Sequence, residues 1–211
     1  MEIISVSHSL SAHNLGILRN KATHPAKFRE SLDSVSQLLF IESSRQLSTE
    51  VYKVHTALET TIAAHISRPI ILIPILRAGL AMLQGPLKIM PDAIVQHLGI
   101  KRDEETFKPI PYYSSLDSQI KGSTVFILDP MLATGGTLAY AIREIAEFHP
   151  VSIEILTIIS APEGIENITQ TADKIDITVR LWTISIDREL NKNGYILPGL
   201  GDAGDRAFGT M

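Results

Sequence analysis

Residues 125 to 137 read Val-Phe-Ile-Leu-Asp-Pro-Met-Leu-Ala-Thr-Gly-Gly-Thr, and this stretch decides the fold. Its four leading apolar residues predict a buried strand of a parallel sheet that ends at Asp129. An amphipathic helix is predicted after Thr137, because Leu138, Ile142 and the apolar residues that follow share one helical face. Strand, small-residue loop and helix in this order are typical of α/β proteins, whose ligands bind where the strands end.

The loop in this stretch has the chemistry of an anion site. Free N–H groups at the start of the helix and the hydroxyls of Thr134 and Thr137 can surround a phosphate, while Gly135-Gly136 lets the backbone approach it. Asp129 would repel a phosphate, but it can accept hydrogen bonds from hydroxyl groups such as those of a ribose. A phosphosugar is the simplest ligand that needs both. The alternative is a tight turn after a solvated strand end; a Walker loop is excluded, because the chain has no Gly-Lys pair.

The motif resembles the 5-phosphoribosyl 1-diphosphate (PRPP) motif of type I phosphoribosyltransferases. Most of those families have two adjacent acids where this chain has Asp129-Pro130, and the Asp-Pro-Met-Leu-Ala-Thr-Gly-Gly form is similar to the uracil phosphoribosyltransferase family. Three more segments occur in that family's order and spacing: Pro74-Ile-Leu-Arg-Ala-Gly-Leu80, Arg102-Asp-Glu-Glu-Thr106 and Gly194-Tyr-Ile-Leu-Pro-Gly-Leu-Gly-Asp-Ala-Gly-Asp205. The resemblance covers nearly the whole chain. It implies a pentosyltransferase of pyrimidine salvage that makes UMP and diphosphate from uracil and PRPP.

The resemblance also implies a role for each candidate site residue. Arg77 and Arg102 are expected to hold the diphosphate of PRPP, and Asp202 to lie beside the reacting centre, which makes these three the expected catalytic residues. Main-chain groups are expected to bind uracil at Ile196, Gly201, Asp202 and Ala203. The expected PRPP-binding residues are Arg77, Arg102, Asp129, Pro130, Met131, Leu132, Ala133, Thr134, Gly135, Gly136, Thr137 and Asp202. Mg²⁺ is the expected cofactor, bound through PRPP without a direct protein ligand.

The composition fits one cytoplasmic domain over residues 1–211. A hydrophobic fraction of 45% with 6% aromatic residues is typical of an aliphatic α/β core. The net charge of −4 argues against a general nucleic-acid-binding protein, and the lack of cysteine excludes disulfides and thiolate metal sites. The sequence has no apolar run of transmembrane length and no secretion signal at its start. Neither nucleic acid nor a membrane is therefore an expected partner.

Apolar periodicity predicts the remaining elements. Residues 25–66 are predicted to be helical, with a second helical run from about Ser48 to Ile66, and residues 78–90 to form a helix broken near Gly85-Pro86. Strands are predicted over residues 70–76, 93–100 and 151–160, with one or two more over 175–186. The polar, proline-containing residues 101–123 indicate a hairpin or mobile arm. The expected fold is a doubly wound, mainly parallel α/β sheet of the type I phosphoribosyltransferase kind, with N-terminal helices, a flexible β-arm and a C-terminal base-binding hood.

Other features of the sequence do not point to a different site. Gly199, Gly201 and Gly204 spell Gly-x-Gly-x-x-Gly, but only seven residues follow, too few for a dinucleotide-binding unit. The seven histidines show no metal-ligand spacing, and the segment 161–164 has no assigned role. An RNA-binding regulator with the same fold, a purine phosphoribosyltransferase and a catalytically silent binding module are the alternative functions. The resemblance implies at least a homodimer, and regulation by a nucleotide such as GTP stays open.

Overall fold

Parallel strands form the centre of the fold. The computed structural model describes residues 1–103 and 109–210, apart from the side chain of Arg102. The strands in this part of the chain are β1 (Glu2–Ser5), β2 (Thr49–His55), β3 (Thr60–Ile66), β4 (Ile70–Leu76), β5 (Ile94–Val95), β6 (Leu98–Arg102), β7 (Pro109–Ser114), β8 (Thr124–Leu128), β9 (Met131–Leu132), β10 (Ser152–Ser160), β11 (Thr178–Ile186), β12 (Glu189–Leu190) and β13 (Ile196–Leu197). The α-helices are α1 (Ser9–Arg19), α2 (Pro25–Ser43), α3 (Gln84–Ile89), α4 (Gly136–Ala146), α5 (Pro162–Ala172) and α6 (Ala203–Phe208), and short 3₁₀ helices cover Ser44–Gln46, Ala78–Met82 and Ser118–Ile120.

The central sheet has the order β1-β11-β10-β8-β4-β6-β7 within the described residues, with β5 added to β4 and β9 added to β10. Its strand pairs are parallel except for β6 and β7, which form an antiparallel hairpin at one edge. Because β4, β8 and β10 run parallel and are joined by crossover connections, their carboxyl ends lie along the same side of the sheet. The predicted doubly wound, mainly parallel sheet is confirmed.

Helices cover both faces of the sheet, and each central strand supplies apolar side chains to both. On β4, Ile71 and Ile73 belong to the core cluster that contains residues of α4 and α5. Ile70 and Leu72 belong to the opposite cluster, which contains residues of α2. Because both faces are covered, consecutive residues of a central strand are all buried, and this explains why β4 and β8 are continuous apolar runs in the sequence.

The helix predicted from Ser48 to Ile66 is wrong, because these residues form the antiparallel hairpin β2–β3. The segment is rich in β-branched residues, which favour strands: Thr49, Val51, Val54, Thr56, Thr60, Thr61, Ile62 and Ile66. Thr56 fixes the turn, since its Oγ1 accepts hydrogen bonds from the N–H groups of Leu58 and Glu59. Bonds of this kind compete with a helix, and apolar spacing alone does not reveal them.

The other predicted elements are present, most of them with shifted ends. Strand β4 has the predicted bounds, whereas the strand predicted over 93–100 is divided into β5 and β6. The predicted broken helix is a 3₁₀ turn followed by α3. The predicted arm contains β7, while its residues 104–108 lie outside the described part, and its flexibility stays a prediction. Within the described residues, none of the helices has the length and apolar character needed to cross a membrane.

Candidate active site

The carboxyl ends of β4 and β8 open onto a cleft of about 240 Å³. The loops that follow these strands meet residues 194–195 and 201–202 of the C-terminal segment there, as expected for ligand sites of parallel α/β sheets. The predicted site residues in the cleft wall are Arg77, Asp129, Met131, Leu132, Ala133, Thr134, Gly135, Thr137, Gly201 and Asp202. The fold therefore brings together predicted residues from three distant parts of the chain.

Residues 134–138, here called the phosphate loop, present a cluster of open donors at the start of α4. Within the described part of the chain, the N–H groups of Thr134 through Leu138 have no hydrogen-bond partner. A helix start leaves four such groups open, and the loop adds the N–H of Thr134. Gly135 has a φ of 79°, and a Cβ there would lie 2.7 Å from the carbonyl oxygen of Gly164, so glycine is required. Open donors and the helix dipole favour an anion at this place.

Helix α5 supports the phosphate loop from behind, a role that was not predicted from the sequence. The Nδ2 of Asn167 donates to the carbonyl oxygen of Thr134 at 2.8 Å. A Cβ on Gly164 would lie 2.3 Å from the carbonyl oxygen of Ala133, so the helix and the loop are in direct backbone contact. The proline in the first turn of α5 is a helix-start signal that could have located this helix. No local pattern shows that Asn167 reaches a loop about thirty residues earlier in the chain.

Asp129 lies half-buried in the cleft wall, directly after β8. Burial raises the pKa of its carboxyl to about 7, and a long hydrogen bond from the N–H of Met131, at 3.4 Å, opposes the shift. The carboxyl is therefore close to half ionised at neutral pH. Hydroxyl donors from a ligand would favour its ionised form, which suits a group that binds a sugar.

The start of α6 brings charged groups to the mouth of the cleft. Asp202 is the N-cap of this helix, and its Oδ1 accepts the N–H of Asp205 at 2.9 Å. The Arg77 side chain is 60% exposed, and its Nη2 lies 3.2 Å from Oδ1 of Asp205. A hydrogen bond from the Thr210 hydroxyl, with a further one from Arg77, lowers the pKa of Asp205 against the effect of burial. Arg77 and Asp202 thus both line the cleft, with Arg77 paired to Asp205.

Some predicted residues lie outside the cleft wall. Pro130, Ile196 and Ala203 are buried, and Gly136 lies in the first turn of α4 without lining the cleft. The side chain of Arg102 is outside the described part of the structure, so its role stays a prediction. For the predicted uracil site, Gly201 and Asp202 are therefore the members that reach the cleft.

A second cavity of about 350 Å³ adjoins the cleft at the arm. It shares Arg77 and Asp202 with the cleft and adds Lys101 from β6 and Tyr112 from β7. The cations Arg77 and Lys101 both line this cavity, which favours a ligand group that carries negative charge. Neither Lys101 nor Tyr112 was a predicted site residue, because both belong to a polar stretch that resembles a solvated surface.

The similarity to known proteins extends over almost the whole chain. A family model described as uracil phosphoribosyltransferase matches residues 5–210. The chain belongs to the uracil phosphoribosyltransferase family. The uracil phosphoribosyltransferase of Fervidobacterium nodosum is 45% identical over 206 residues, which cover 97% of this chain and 98% of the relative. The resemblance drawn from residues 129–137 is therefore confirmed, together with the predicted class of enzyme, a pentosyltransferase.

Solved structures show the same architecture as this member of the uracil phosphoribosyltransferase family. The AQ2163 protein from Aquifex aeolicus is 40% identical, with a TM-score of 0.92 over 98% of this chain and 97% of its own. A hypoxanthine-guanine phosphoribosyltransferase from Bacillus anthracis is 16% identical, with a TM-score of 0.50 over 75% of this chain and 78% of its own. The second likeness concerns the fold alone, and it confirms the predicted phosphoribosyltransferase fold.

Proposed function

We propose that this protein transfers the 5-phosphoribosyl group of PRPP to uracil and so forms UMP and diphosphate, a reaction of pyrimidine salvage. The observation that carries the proposal is the composition of one cleft. Its wall contains the open donors of the phosphate loop, the carboxyl of Asp129 and the backbone at Gly201-Asp202. These three groups suit a phosphate, a ribose and a base respectively, which are the three parts of UMP.

The phosphate loop and Asp129 would bind the phosphoribosyl half of the substrate. N–H groups of residues 134–138 would donate to the 5′-phosphate, with the hydroxyls of Thr134 and Thr137 completing its shell. Asp129 would accept hydrogen bonds from the ribose hydroxyls. Because these donors favour the ionised carboxylate, ribose binding would lower the raised pKa of Asp129.

The charged groups at the cleft mouth suit a diphosphate that carries Mg²⁺. Mg²⁺ prefers oxygen ligands and is held by one or two carboxylates together with water and substrate phosphates. Asp202 offers one carboxylate at the mouth, whereas no group of three or more metal-binding side chains occurs in the described parts of the chain. We therefore propose that Mg²⁺ arrives with PRPP. When bound, it would neutralise charge on the leaving diphosphate.

Catalysis would rest on position and charge rather than on a nucleophilic side chain. N1 of uracil would attack the anomeric carbon opposite the diphosphate, so that the N1–C1 bond forms, the C1–O bond breaks, the configuration inverts and the N1 proton is released. Arg77 would stabilise the leaving diphosphate, and Arg102 is proposed to do so from the arm. Arg77 can leave its exposed contact with Asp205, because surface ion pairs contribute little. The Asp202 carboxylate would stabilise positive charge on the sugar.

Uracil would be recognised by the main chain of the C-terminal segment. Its edge presents an acceptor, a donor and an acceptor at O4, N3–H and O2. Peptide groups at Gly201 and Asp202, which line the cleft, and at the neighbouring Ile196 and Ala203, can offer the complementary pattern. Backbone groups cannot rotate to suit another base, so the pocket would select by hydrogen-bond pattern.

We further propose that the enzyme is cytoplasmic and acts as at least a homodimer. The hairpin β2–β3 supports the second point, because Val51, Leu58 and Ile62 are 74%, 96% and 61% exposed in the single chain. An isolated two-stranded hairpin is marginally stable in water, and exposed apolar side chains of this kind mark contact surfaces. A second copy of the chain is the partner that a soluble enzyme most often uses.

A diphosphate-release assay tests the function. The protein is given PRPP and Mg²⁺ with uracil, with hypoxanthine or without a base. Release that depends on uracil is the expected result. Release with hypoxanthine in preference to uracil would instead support a purine enzyme, and no release with either base would support a silent module. Retention of RNA on a filter by an inactive protein would favour the regulator.

A further inference from the structure

The carboxylate of Asp187 is buried directly behind the segment that follows β13. Its Oδ1 accepts hydrogen bonds from Nη2 of Arg19 at 2.6 Å and from the Ser185 hydroxyl at 2.8 Å. Its Oδ2 accepts Nη1 of Arg19 at 2.7 Å and the N–H of Gly199 at 2.9 Å. Burial acts to raise the pKa of Asp187, but these hydrogen bonds outweigh it and hold the pKa below the ordinary value. The Asp187 carboxylate is thus an ionised anchor, and each of its oxygens accepts two hydrogen bonds.

Two guanidinium groups complete this anchor. Nη1 of Arg19 also donates to the carbonyl oxygen of Gly199 at 2.8 Å, so both backbone polar groups of that residue are fixed. Arg206 is buried in α6, and its Nη1 donates to the carbonyl oxygen of Leu200 at 2.5 Å. The same guanidinium binds the carbonyl oxygens of Leu18 and Asn20, at the end of α1, and lies over the Phe28 ring at 4.3 Å.

These contacts hold the residues between the two parts of the proposed uracil site, which are Ile196 on one side and residues 201–203 on the other. Residues 196–203, here called the base loop, turn back at Gly199, where φ is 66° and a Cβ would lie 2.2 Å from the carbonyl oxygen of Ile196. Gly199 and Leu200 therefore separate Ile196 from the cleft-lining residues 201–202. Contacts that fix the peptide planes of Gly199 and Leu200 therefore also fix the positions of Ile196 and of residues 201–202.

We propose that Arg19, Asp187 and Arg206 are positioning residues that set the base loop for uracil, an inference that rests on the proposed function. All three lie behind the loop and outside the cleft wall, so they would act through the backbone and not on the substrate. A binding site made of peptide groups has no side chain that can adjust to a displaced base. Small displacements of reacting groups are costly, so the anchor should control how well uracil is bound and selected.

The test compares two variants of the anchor with a buried ion pair elsewhere. Asp187→Asn keeps the size and removes the charge that binds Arg19. Arg19→Lys keeps the charge but loses the planar fork that reaches both Asp187 and Gly199, and it guards against a folding failure of the first variant. Glu154→Gln is the matched control, because Glu154 is 1% exposed and binds Arg180 at 2.7 Å near the amino ends of β10 and β11, whereas Asp187 follows the carboxyl end of β11.

The readouts are the KM for uracil at saturating Mg²⁺-PRPP, the calorimetric Kd for PRPP and the ratio of kcat/KM for uracil over cytosine. The anchor variants should raise the uracil KM by about tenfold or more and lower the ratio, with the PRPP Kd within about twofold of wild type. Glu154→Gln should only reduce the fraction of folded protein, which lowers the maximal rate and leaves the uracil KM unchanged. Anchor variants that behave like this control would overturn the inference while wild-type turnover of uracil stands. A wild type that does not use uracil would instead overturn the proposed function.

Discussion

The two loops that face the cleft are held in different ways. Among the described residues, the phosphate loop receives one side-chain hydrogen bond from behind, Asn167 to Thr134, and Gly164 approaches its backbone closely. The base loop is fixed by a buried carboxylate and two guanidinium groups that bind its peptide groups at Gly199 and Leu200. Within the described residues, five N–H groups of the phosphate loop have no hydrogen-bond partner. In the base loop, the N–H and carbonyl of Gly199 and the carbonyl of Leu200 are all hydrogen-bonded.

This difference fits the two ligands that the loops are proposed to bind. A phosphate is nearly symmetric and strongly charged, so a cluster of donors at a helix start binds it without fine adjustment. A base is planar and weakly polar, and it must be distinguished from bases of the same shape by the direction of each hydrogen bond. The loop that discriminates therefore needs the stronger anchoring.

The largest expected effect concerns the choice between pyrimidines. Cytosine has a donor at C4 and an acceptor at N3, so a fixed main-chain site would face it with like groups and reject it by about 10⁴-fold in kcat/KM. Substitution of fluorine at C5 leaves the pattern unchanged, so 5-fluorouracil should be accepted. The measurement is kcat/KM for the three bases with saturating Mg²⁺-PRPP. Cytosine used within about tenfold of uracil, a gap of ~1.4 kcal/mol, would contradict main-chain readout.

The next effect concerns Asp202, which lines both the cleft and the adjoining cavity. Asp202→Asn keeps a good N-cap for α6, so the helix start is preserved while the charge is lost. We expect kcat to fall by about 10²-fold with a smaller change in KM, because the carboxylate acts mainly in the transition state. Steady-state kinetics with both substrates would measure this. A kcat close to that of wild type would remove Asp202 from the catalytic residues.

A smaller effect follows from the raised pKa of Asp129. With a pKa of about 7, the ionised fraction falls from about nine-tenths at pH 8 to about one-tenth at pH 6, so PRPP should bind roughly tenfold more weakly at the lower pH. Calorimetric titration at both values measures this, and Asp129→Asn is the control that retains only the titration of PRPP itself. Equal pH dependence in both proteins would show that Asp129 does not bind the ribose in its ionised form.

The same pKa predicts how stability changes with pH. Folding raises the pKa of Asp129 from 3.8 to about 7, so the folded protein holds a proton that the unfolded chain has released in this interval. The contribution of Asp129 to the free energy of unfolding should therefore decrease as the pH rises from about 4 to about 7. Denaturant unfolding of wild type and Asp129→Asn at both ends of the interval would measure this contribution by difference.

The smallest effect tests the hydrogen bond from Asn167 behind the phosphate loop. Asn167→Ala removes the donor to Thr134, and a net loss of ~1 kcal/mol should weaken PRPP binding by about fivefold. Gln170→Ala is the matched control, because it removes an amide from the exposed side of the same helix. We expect the uracil KM to stay unchanged in both variants. A PRPP Kd unchanged in Asn167→Ala would show that backbone contact alone positions the loop.

The sequence was sufficient to predict the parallel sheet and the phosphate loop. Strand, loop and helix around Asp129 are consecutive in the chain, and the burial of both faces makes β4 and β8 continuous apolar runs. The hairpin β2–β3 was not predictable from apolar spacing, because it buries almost nothing in the single chain and its turn depends on the side chain of Thr56. Patterns derived from a core carry little information about elements outside it.

Within the candidate site, local patterns and the family resemblance predicted many of the residues in the cleft wall. They did not predict the residues behind it. Asp187 contacts Arg19 across 168 residues of sequence, and Arg206 contacts Leu18 across 188. Neither pair has a local signature, since each residue separately resembles a solvated charge. Their function becomes visible only when the sheet has placed α1, β11 and α6 together, and such long-range contacts lie beyond motif analysis.

The most direct test of the division between the loops uses one variant of each. Gly135→Ala places a Cβ 2.7 Å from the Gly164 carbonyl oxygen and disturbs the phosphate loop, whereas Asp187→Asn weakens the anchor of the base loop. Both are measured for the PRPP Kd and for the uracil KM at saturating PRPP. We predict that Gly135→Ala weakens PRPP binding by ~2 kcal/mol, about thirtyfold, with little change in uracil KM, and that Asp187→Asn does the reverse. Equal changes of both constants in both variants would contradict the account.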